Sequence, residues 1–274
     1  MSPSFRSLLY AEPRLYDLIY PDAAGGAVQL CRKVWHRHGA GAPASVLDVG
    51  CGSGRFLEQL GDWIAERWGV ELLESNVAHA RSVLPDVRVV QADMCSVRLD
   101  RTFDLVTSFG NALSYALTDA ALAAAFETLA AHAHPGALTV LDVLNARSYL
   151  EGDEVRDRLE GQVDVSGFRA TWASLQTLDR AARTLRRTRQ WTIEGRDGVE
   201  DVAEFRLLFP EELVRLLEAA GFEVLVLSDN RDLRPTDLSG GRAGPVDASG
   251  MRGRKLYAVG RRRGAPPGPG ALTA

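Results

Sequence analysis

The stretch VLDVGCGSGRFL, Val46–Leu57, decides the reading of the fold. An apolar run closes on Asp48, three glycines follow at alternate positions (Gly50, Gly52, Gly54), and a helical pattern begins at Arg55. A strand that ends in glycines and runs into a helix N-terminus brings backbone N–H groups close to a ligand, because no Cβ blocks the approach or forbids positive φ. On its C-terminal side the same rhythm repeats. ERWGVEL is a strand and SNVAHARSVL a helix, VRVVQAD and FDLVTSF are strands, DAALAAAFETLAAHA is a long helix and ALTVLDVL another strand. Strict alternation of this kind predicts parallel βαβ units wound on both faces of one sheet.

The pattern changes on either side of this core. Residues 1–40 read as a helical segment, with YAEPRLYDLIY and then GAVQLCRKVWHRHG, and 41–150 as the core. In 151–209 the runs FRATWASLQTLD, RTLRRTRQWTIEG and VEDVAEFRLLFP are β-rich and separated by turn signals, which predicts an antiparallel insertion. The parallel fold resumes over 210–263 with the amphipathic helix PEELVRLLEAAG, framed by Pro210 and Gly221, and the strands FEVLVLSD and KLYAVGRR. The connection RDLRPTDLSGGRAGPVDASGMRG is expected to be mobile, and the Pro- and Gly-rich tail, 264–274, to be disordered. The expected class is therefore α/β: a doubly wound, seven-stranded, mostly parallel sheet with an N-terminal helical lid and an antiparallel β insertion.

Composition narrows the partners. A net charge of −4 gives no basic face for nucleic acid or an anionic membrane, and no apolar run is long enough to span a bilayer. The N-terminus lacks the hydrophobic core of a secretory signal. Cys31, Cys51 and Cys95 are odd in number and scattered, indicating neither a disulfide framework nor a metal site. A cytoplasmic protein with a small-molecule substrate is expected; a homodimer is left open.

The glycine turn also discriminates between ligands. A dinucleotide site needs a third glycine where Arg55 stands, and Asp48 would repel a pyrophosphate. Acids close three successive strands: Asp48, then Glu71 in WGVEL, then Asp93 in VVQADM. They describe a ligand with a cationic amino-acid part, a ribose and a base, with Met94 flanking the base. S-adenosyl-L-methionine has these parts and no phosphate.

With VLDVGCGSG, GVELLESNVAHAR, VVQADM and FDLVTSFGNALSY in this order and spacing, Val46 to Leu150 resembles the class I S-adenosylmethionine-dependent methyltransferases. The resemblance implies a Rossmann-like methyltransferase fold in which Gly50, Gly52 and Gly54 cradle the methionine part and Asp48 supports the turn. Glu71 and Leu72 would serve the ribose, Asp93 and Met94 the adenine, with Cys51, Ser108 and Phe109 beside them. Asn111 would border the methyl group. Most members carry aspartate where Glu71 stands, a change that keeps the carboxylate. The segment FGNALSYALTD and the β insertion resemble, more narrowly, small-molecule N-methyltransferases of the glycine/sarcosine and amino-sugar types. Those enzymes close a tyrosine-bearing N-terminal helix over the site, and YAEPRLYDLIY matches it in character.

Methyl transfer to an amine needs alignment more than a base. His36 and His38 end a helix, while His79, His132 and His134 fall away from the strand ends and read as surface residues. An amine acceptor in secondary metabolism is therefore preferred. A C- or O-methyltransferase of a small aromatic or sugar metabolite is the alternative, and a non-catalytic S-adenosylmethionine-binding sensor is the alternative of another class. Tyr20, Tyr115 and Asn111 are the candidate catalytic residues, and Tyr16, Tyr20, Tyr115 and Trp172 the candidate acceptor contacts. Tyr16 and Tyr20 share a helical face at i,i+4.

Overall fold

The computed structural model describes residues 7–152, 158–233 and 250–264. Most of the expected mobile connection and all but the first residue of the expected disordered tail lie outside them.

The chain opens with α1 (Leu8–Ala11), α2 (Pro13–Ile19) and α3 (Gly25–His38), then alternates β1 (Ser45–Val49), α4 (Arg55–Gln59), β2 (Glu66–Glu71), α5 (Glu74–Val83), β3 (Val87–Gln91) and β4 (Phe103–Ser108). A 3-10 turn at Ala112–Tyr115 leads to α6 (Asp119–Ala131), β5 (Ala133–Leu144) and α7 (Ala146–Leu150). The insertion contributes β6 (Arg158–Val165), β7 (Phe168–Asp179), β8 (Thr184–Ile193) and β9 (Val199–Arg206). It is followed by α8 (Pro210–Ala219), β10 (Phe222–Ser228) and β11 (Lys255–Arg262).

Seven strands form one sheet in the order β10-β11-β5-β4-β1-β2-β3, parallel except for β11, which runs against both its neighbours. Side chains alternate between the faces, as the strand period of two requires. Leu47, Val49, Val106, Leu141 and Val143 pack under α6 and α8, whereas Val46, Leu105, Leu138 and Val140 pack under α3, α4 and α5. Chain order reverses between β1 and β4, the place where an open α/β sheet leaves a crevice beyond its strand ends. Helix boundaries follow local chemistry. Thr118 caps α6 by accepting the Ala121 N–H at 3.1 Å, and Gly221, at φ 85°, takes the left-handed position after α8.

The insertion is a separate antiparallel sheet, β6-β7-β8-β9. Three of its strands match the β-rich runs; β6 is additional. Among the described residues it pairs only with β7, and residues of mixed polarity alternate along it. Ser166 and Gly167 join the two strands with φ of 46° and 84°, the signature of a type I′ turn. Two further expectations are corrected. β5 begins at Ala133, ahead of the run ALTVLDVL, and His132 is buried at 1% exposure rather than at the surface. Its Nε2 accepts the Leu99 N–H at 2.9 Å and its Nδ1 lies 2.7 Å from the Thr128 carbonyl, so the ring ties a loop to α6. Burial lowers its pKa.

Among the described residues no helix is long and apolar enough to cross a membrane. The three cysteines are free.

Candidate active site

The glycine turn folds back over the end of β2. Gly50 and Cys51 both donate their N–H groups to the Val70 carbonyl, at 2.8 and 3.0 Å. Glu71 then bridges two segments, its Oε2 accepting the Gly52 N–H at 3.0 Å and its Oε1 the Leu73 N–H at 2.8 Å. Gly50 is required twice over: its φ is 80°, and a Cβ there would stand 2.5 Å from the Ala112 Cβ. Gly52, at φ 55°, differs, since a Cβ would meet no protein atom within 4 Å. Asp48, at the end of β1, is buried and accepts the Thr107 hydroxyl at 2.7 Å. Burial pushes its pKa up to about 7, with Asp142 and Glu71 raising it further and Thr107 opposing. Asp93 holds the start of the next loop through the Cys95 N–H at 2.8 Å.

Beyond β4 the backbone takes two left-handed residues in succession, Gly110 (φ 71°) and Asn111 (φ 62°). Asp142 on β5 fixes them by accepting the Asn111 N–H at 2.7 Å, while its other oxygen receives Lys255 Nζ at 2.9 Å.

The opposite wall comes from the lid. Tyr10 and Tyr16 lie 6.4 Å apart by ring centroid, and the Tyr10 and Tyr115 hydroxyls are 3.3 Å apart. Burial raises Tyr16 to about 12 and Tyr115 well above the usual phenol range, so both remain protonated at neutral pH. The lid is latched to the core by Asp17, which accepts from Ser53 Oγ at 2.7 Å and lies 2.9 Å from His79 Nε2. His79 is therefore half-buried against the lid rather than a surface residue. Arg55 donates to the Pro21 carbonyl at 3.1 Å, and Ser75 to the Tyr10 carbonyl at 2.7 Å.

Between these walls lies a cavity of about 490 Å³, a size suited to a small ligand. Asp48, Gly50, Cys51, Gly52, Glu71, Leu72, Asp93, Met94, Phe109, Tyr16 and Tyr115 line it. The other expected site residues stand outside this wall. Gly54 sits at the start of α4, where a Cβ would press on Leu84 at 2.6 Å. Ser108 is engaged behind the wall, donating to the Val49 carbonyl at 2.8 Å. Asn111 turns its backbone to Asp142 and keeps its Oδ1 buried without a partner. Tyr20 is 38% exposed, and Trp172 packs in the insertion against Trp191. Sequence reasoning did not single out Tyr10, Ser53, Asn76, Thr118 or Glu204, all of which line the cavity. Tyr10 was visible in YAEPRLYDLIY, but Pro13 separates it from the i,i+4 pair that drew notice.

The lining fits S-adenosylmethionine. A buried carboxylate with a raised pKa, Asp48, suits a cationic amino group. A carboxylate oxygen accepts more than one hydrogen bond, so Glu71 retains capacity for hydroxyls beside its two backbone donors. Open space at Gly52 and Gly110, where added Cβ atoms would meet nothing, leaves a cradle for the ligand. Leu72, Ala92, Met94 and Phe109 supply apolar surface for a base.

The comparisons agree with this geometry. Residues 46–136 match a family model described as a methyltransferase domain. The chain is 36% identical over 132 residues to the dTDP-3-amino-3,4,6-trideoxy-alpha-D-glucopyranose N,N-dimethyltransferase of Streptomyces venezuelae, covering 47% of this chain and 55% of that protein. It spans about half the length of the curated relatives it matches first. Among solved structures, Streptomyces venezuelae DesVI superimposes with a TM-score of 0.74 at 26% identity, covering 91% of this chain and 98% of that one. The sugar N-methyltransferase KedS8 from Streptoalloteichus sp. gives 0.72 at 26% identity, over 91% and 93%. Residues 46–136 thus match a methyltransferase domain, and the chain as a whole resembles the sugar N-methyltransferases in fold.

Proposed function

We propose that the protein transfers a methyl group from S-adenosylmethionine to the amine of a small-molecule acceptor, a nucleotide-linked amino sugar of secondary metabolism, in the cytoplasm. The observation that carries this reading is the continuity of one cavity from the carboxylates at the strand ends to the tyrosines of the lid. The names of the relatives, dTDP-amino-sugar N,N-dimethyltransferases, supply the acceptor class.

When bound, S-adenosylmethionine supplies an electrophilic methyl on a sulfonium. Asp48, Glu71 and Asp93 would orient it from three successive strand ends, and the lid latched by Asp17 would exclude water. In-line displacement then depends on alignment of the acceptor's lone pair. Tyr10, Tyr16 and Tyr115 offer hydroxyls for that alignment, and Tyr16 and Tyr115, held protonated by burial, do not serve as bases at neutral pH. Glu204, on β9 and held by the Thr184 hydroxyl at 3.0 Å, faces the same cavity and can accept from an amine N–H.

The test is incubation of the full chain with S-adenosylmethionine and dTDP-linked amino sugars, read by mass spectrometry. Gain of methyl mass on the sugar is expected. Transfer only to phenols or hydroxyls would establish the oxygen reading instead. Tight cofactor binding without transfer across an amine panel would establish the sensor.

A further inference from the structure

The inner face of the insertion sheet carries two arginines with no part in the reaction just described. Residues directly opposite in an antiparallel pair share a face. The registers Ser174↔Arg189, Gln176↔Arg187, Arg189↔Asp201 and Arg187↔Ala203 therefore gather these side chains. They lie between two apolar clusters: Trp191 and Ile193 under the lid, and Leu185 and Phe205 toward the core. Arg187 stacks over Phe205 at 5.3 Å, and Arg189 over Trp172 at 4.5 Å and Trp191 at 5.4 Å. Stacking fixes each guanidinium plane but leaves its Nε–H without an acceptor. Nε of both arginines is buried without a hydrogen-bond partner, and so are Ser174 Oγ and Gln176 Oε1 across the strand.

The charges are only partly met, Asp201 and Tyr20 favouring the Arg189 cation. Asp201, directly opposite Arg189, is engaged elsewhere: Oδ1 accepts the Leu8 N–H at 2.5 Å and Oδ2 the Trp191 indole N–H at 2.8 Å. Burial, and then the neighbouring Arg187, hold the Arg189 pKa below its ordinary value, with the Tyr20 phenol hydrogen-bonded to it. Two like charges held half-buried side by side are unfavourable unless an anion joins them. Side chains two residues apart on a strand project from backbone positions about 7 Å apart, and two long, flexible arginine stems can bring their guanidinium forks to the oxygens of one diphosphate from either side. The pair also stands one ring from the cavity. Phe205 lies 5.0 Å from Tyr115, and Tyr20 lies 5.3 Å from Tyr16. Tyr16 and Tyr115 are both in the cavity wall.

We infer that Arg187 and Arg189, with Ser174 and Gln176, form the subsite that holds the diphosphate of the acceptor. The inference rests on the nucleotide-linked acceptor proposed above. It makes Tyr20 and Trp172 positioning residues for Arg189.

The probe is dTDP with no sugar attached, titrated calorimetrically into the full chain saturated with S-adenosylhomocysteine. Arg187→Gln and Arg189→Gln are each expected to weaken dTDP binding by about tenfold or more, with S-adenosylhomocysteine affinity unchanged. Arg187→Lys and Arg189→Lys keep charge and stem while losing the fork, guard against a folding defect, and should weaken dTDP less. Equal dTDP affinity in wild type and variants, or no dTDP binding to the wild type, overturns the subsite. Wild-type KM for a dTDP-amino sugar in the Arg187→Gln/Arg189→Gln variant overturns it too, while leaving the acceptor reading intact. Arginine-dependent dTDP binding with no transfer to any amino sugar has the opposite meaning: the subsite stands and the acceptor reading falls.

Discussion

The two ends of the cavity are built by different means. At the strand ends, backbone does most of the shaping. Three positive-φ glycines make the turn, Val70 and Glu71 receive four of the nearby N–H groups, and Asp48 is fixed by Thr107. At the lid and insertion, shape comes from side chains: tyrosine rings, stacked arginines and a latch through Asp17. A backbone-built site tolerates almost no substitution and accommodates one ligand. A side-chain-built site can be retuned residue by residue, which suits the end that must distinguish acceptors.

That difference is broken most severely at Gly50. Gly50→Ala introduces both a left-handed strain and a Cβ 2.5 Å from Ala112. A loss of about 3–5 kcal/mol and of measurable S-adenosylhomocysteine binding is expected. Gly167→Ala is the control in the insertion. Its φ of 84° is similar but a Cβ would meet nothing within 4 Å, so about 1–2 kcal/mol is expected, with cofactor affinity retained. Equal losses in thermal and denaturant unfolding would remove the distinction.

Asp48 sharpens the comparison through pH. Its folded pKa of about 7 lies above the unfolded value of 3.8, because burial disfavours the charged form. Between those values the folded protein holds a proton the unfolded chain has released. The associated stability is present below about pH 4, falls as pH rises, and is gone above about 7. Asp48→Asn should therefore raise the ligand-free unfolding free energy at pH 8, by on the order of 2 kcal/mol in denaturant unfolding, while weakening cofactor binding at least tenfold. A cationic ligand group favours the ionised carboxylate, so cofactor binding near pH 6 should release a proton. Calorimetry in buffers of different ionisation enthalpy measures that release, and none would detach Asp48 from the ligand.

These two ends were also unequally legible in the sequence. The glycine turn, Asp48, Glu71 and Asp93 announce themselves because each occupies a strand end fixed by the βαβ rhythm, so chain position nearly determines spatial position. The acceptor end has no such register. Tyr10 reaches the cavity only because α1 and α2 break at Pro13 and fold over the core. Glu204 reaches it because β9 is the strand of the insertion that carries it beside the core. β6 escaped notice because an edge strand with both faces partly in water needs no apolar alternation, and Gly161 within it is explained only by the Trp172 ring that a Cβ would strike at 2.5 Å. His132 read as exposed because its two partners, Leu99 and Thr128, lie on a loop and a helix whose packing the local pattern does not reveal.

The latch joins the two ends, and its effect should be intermediate. Asp17→Ala removes the acceptor for Ser53 and His79 together. About 1–2 kcal/mol of stability should go. Hydrogen exchange over 8–20 should accelerate and cofactor dissociation should speed several-fold, both measurable without turnover. Unchanged exchange in that segment would mean that the apolar contacts of Leu8, Leu9 and Leu15 hold the lid unaided.

The smallest effect falls on the tyrosines and separates two residues that looked alike in the sequence. Tyr115→Phe deletes a hydroxyl in the cavity wall, 3.3 Å from that of Tyr10, while keeping the ring against Phe205. The fold and cofactor affinity should survive, and kcat should fall by about threefold to tenfold as acceptor alignment loosens. Tyr20→Phe deletes a hydroxyl outside that wall, bonded to Arg189. Its effect should appear in the acceptor's KM and leave kcat nearly unchanged, because a group that positions a binding residue alters ground and transition states alike. A fall in kcat for Tyr20→Phe matching that of Tyr115→Phe would place both hydroxyls at the reacting centre and require the lid to close further than the present geometry.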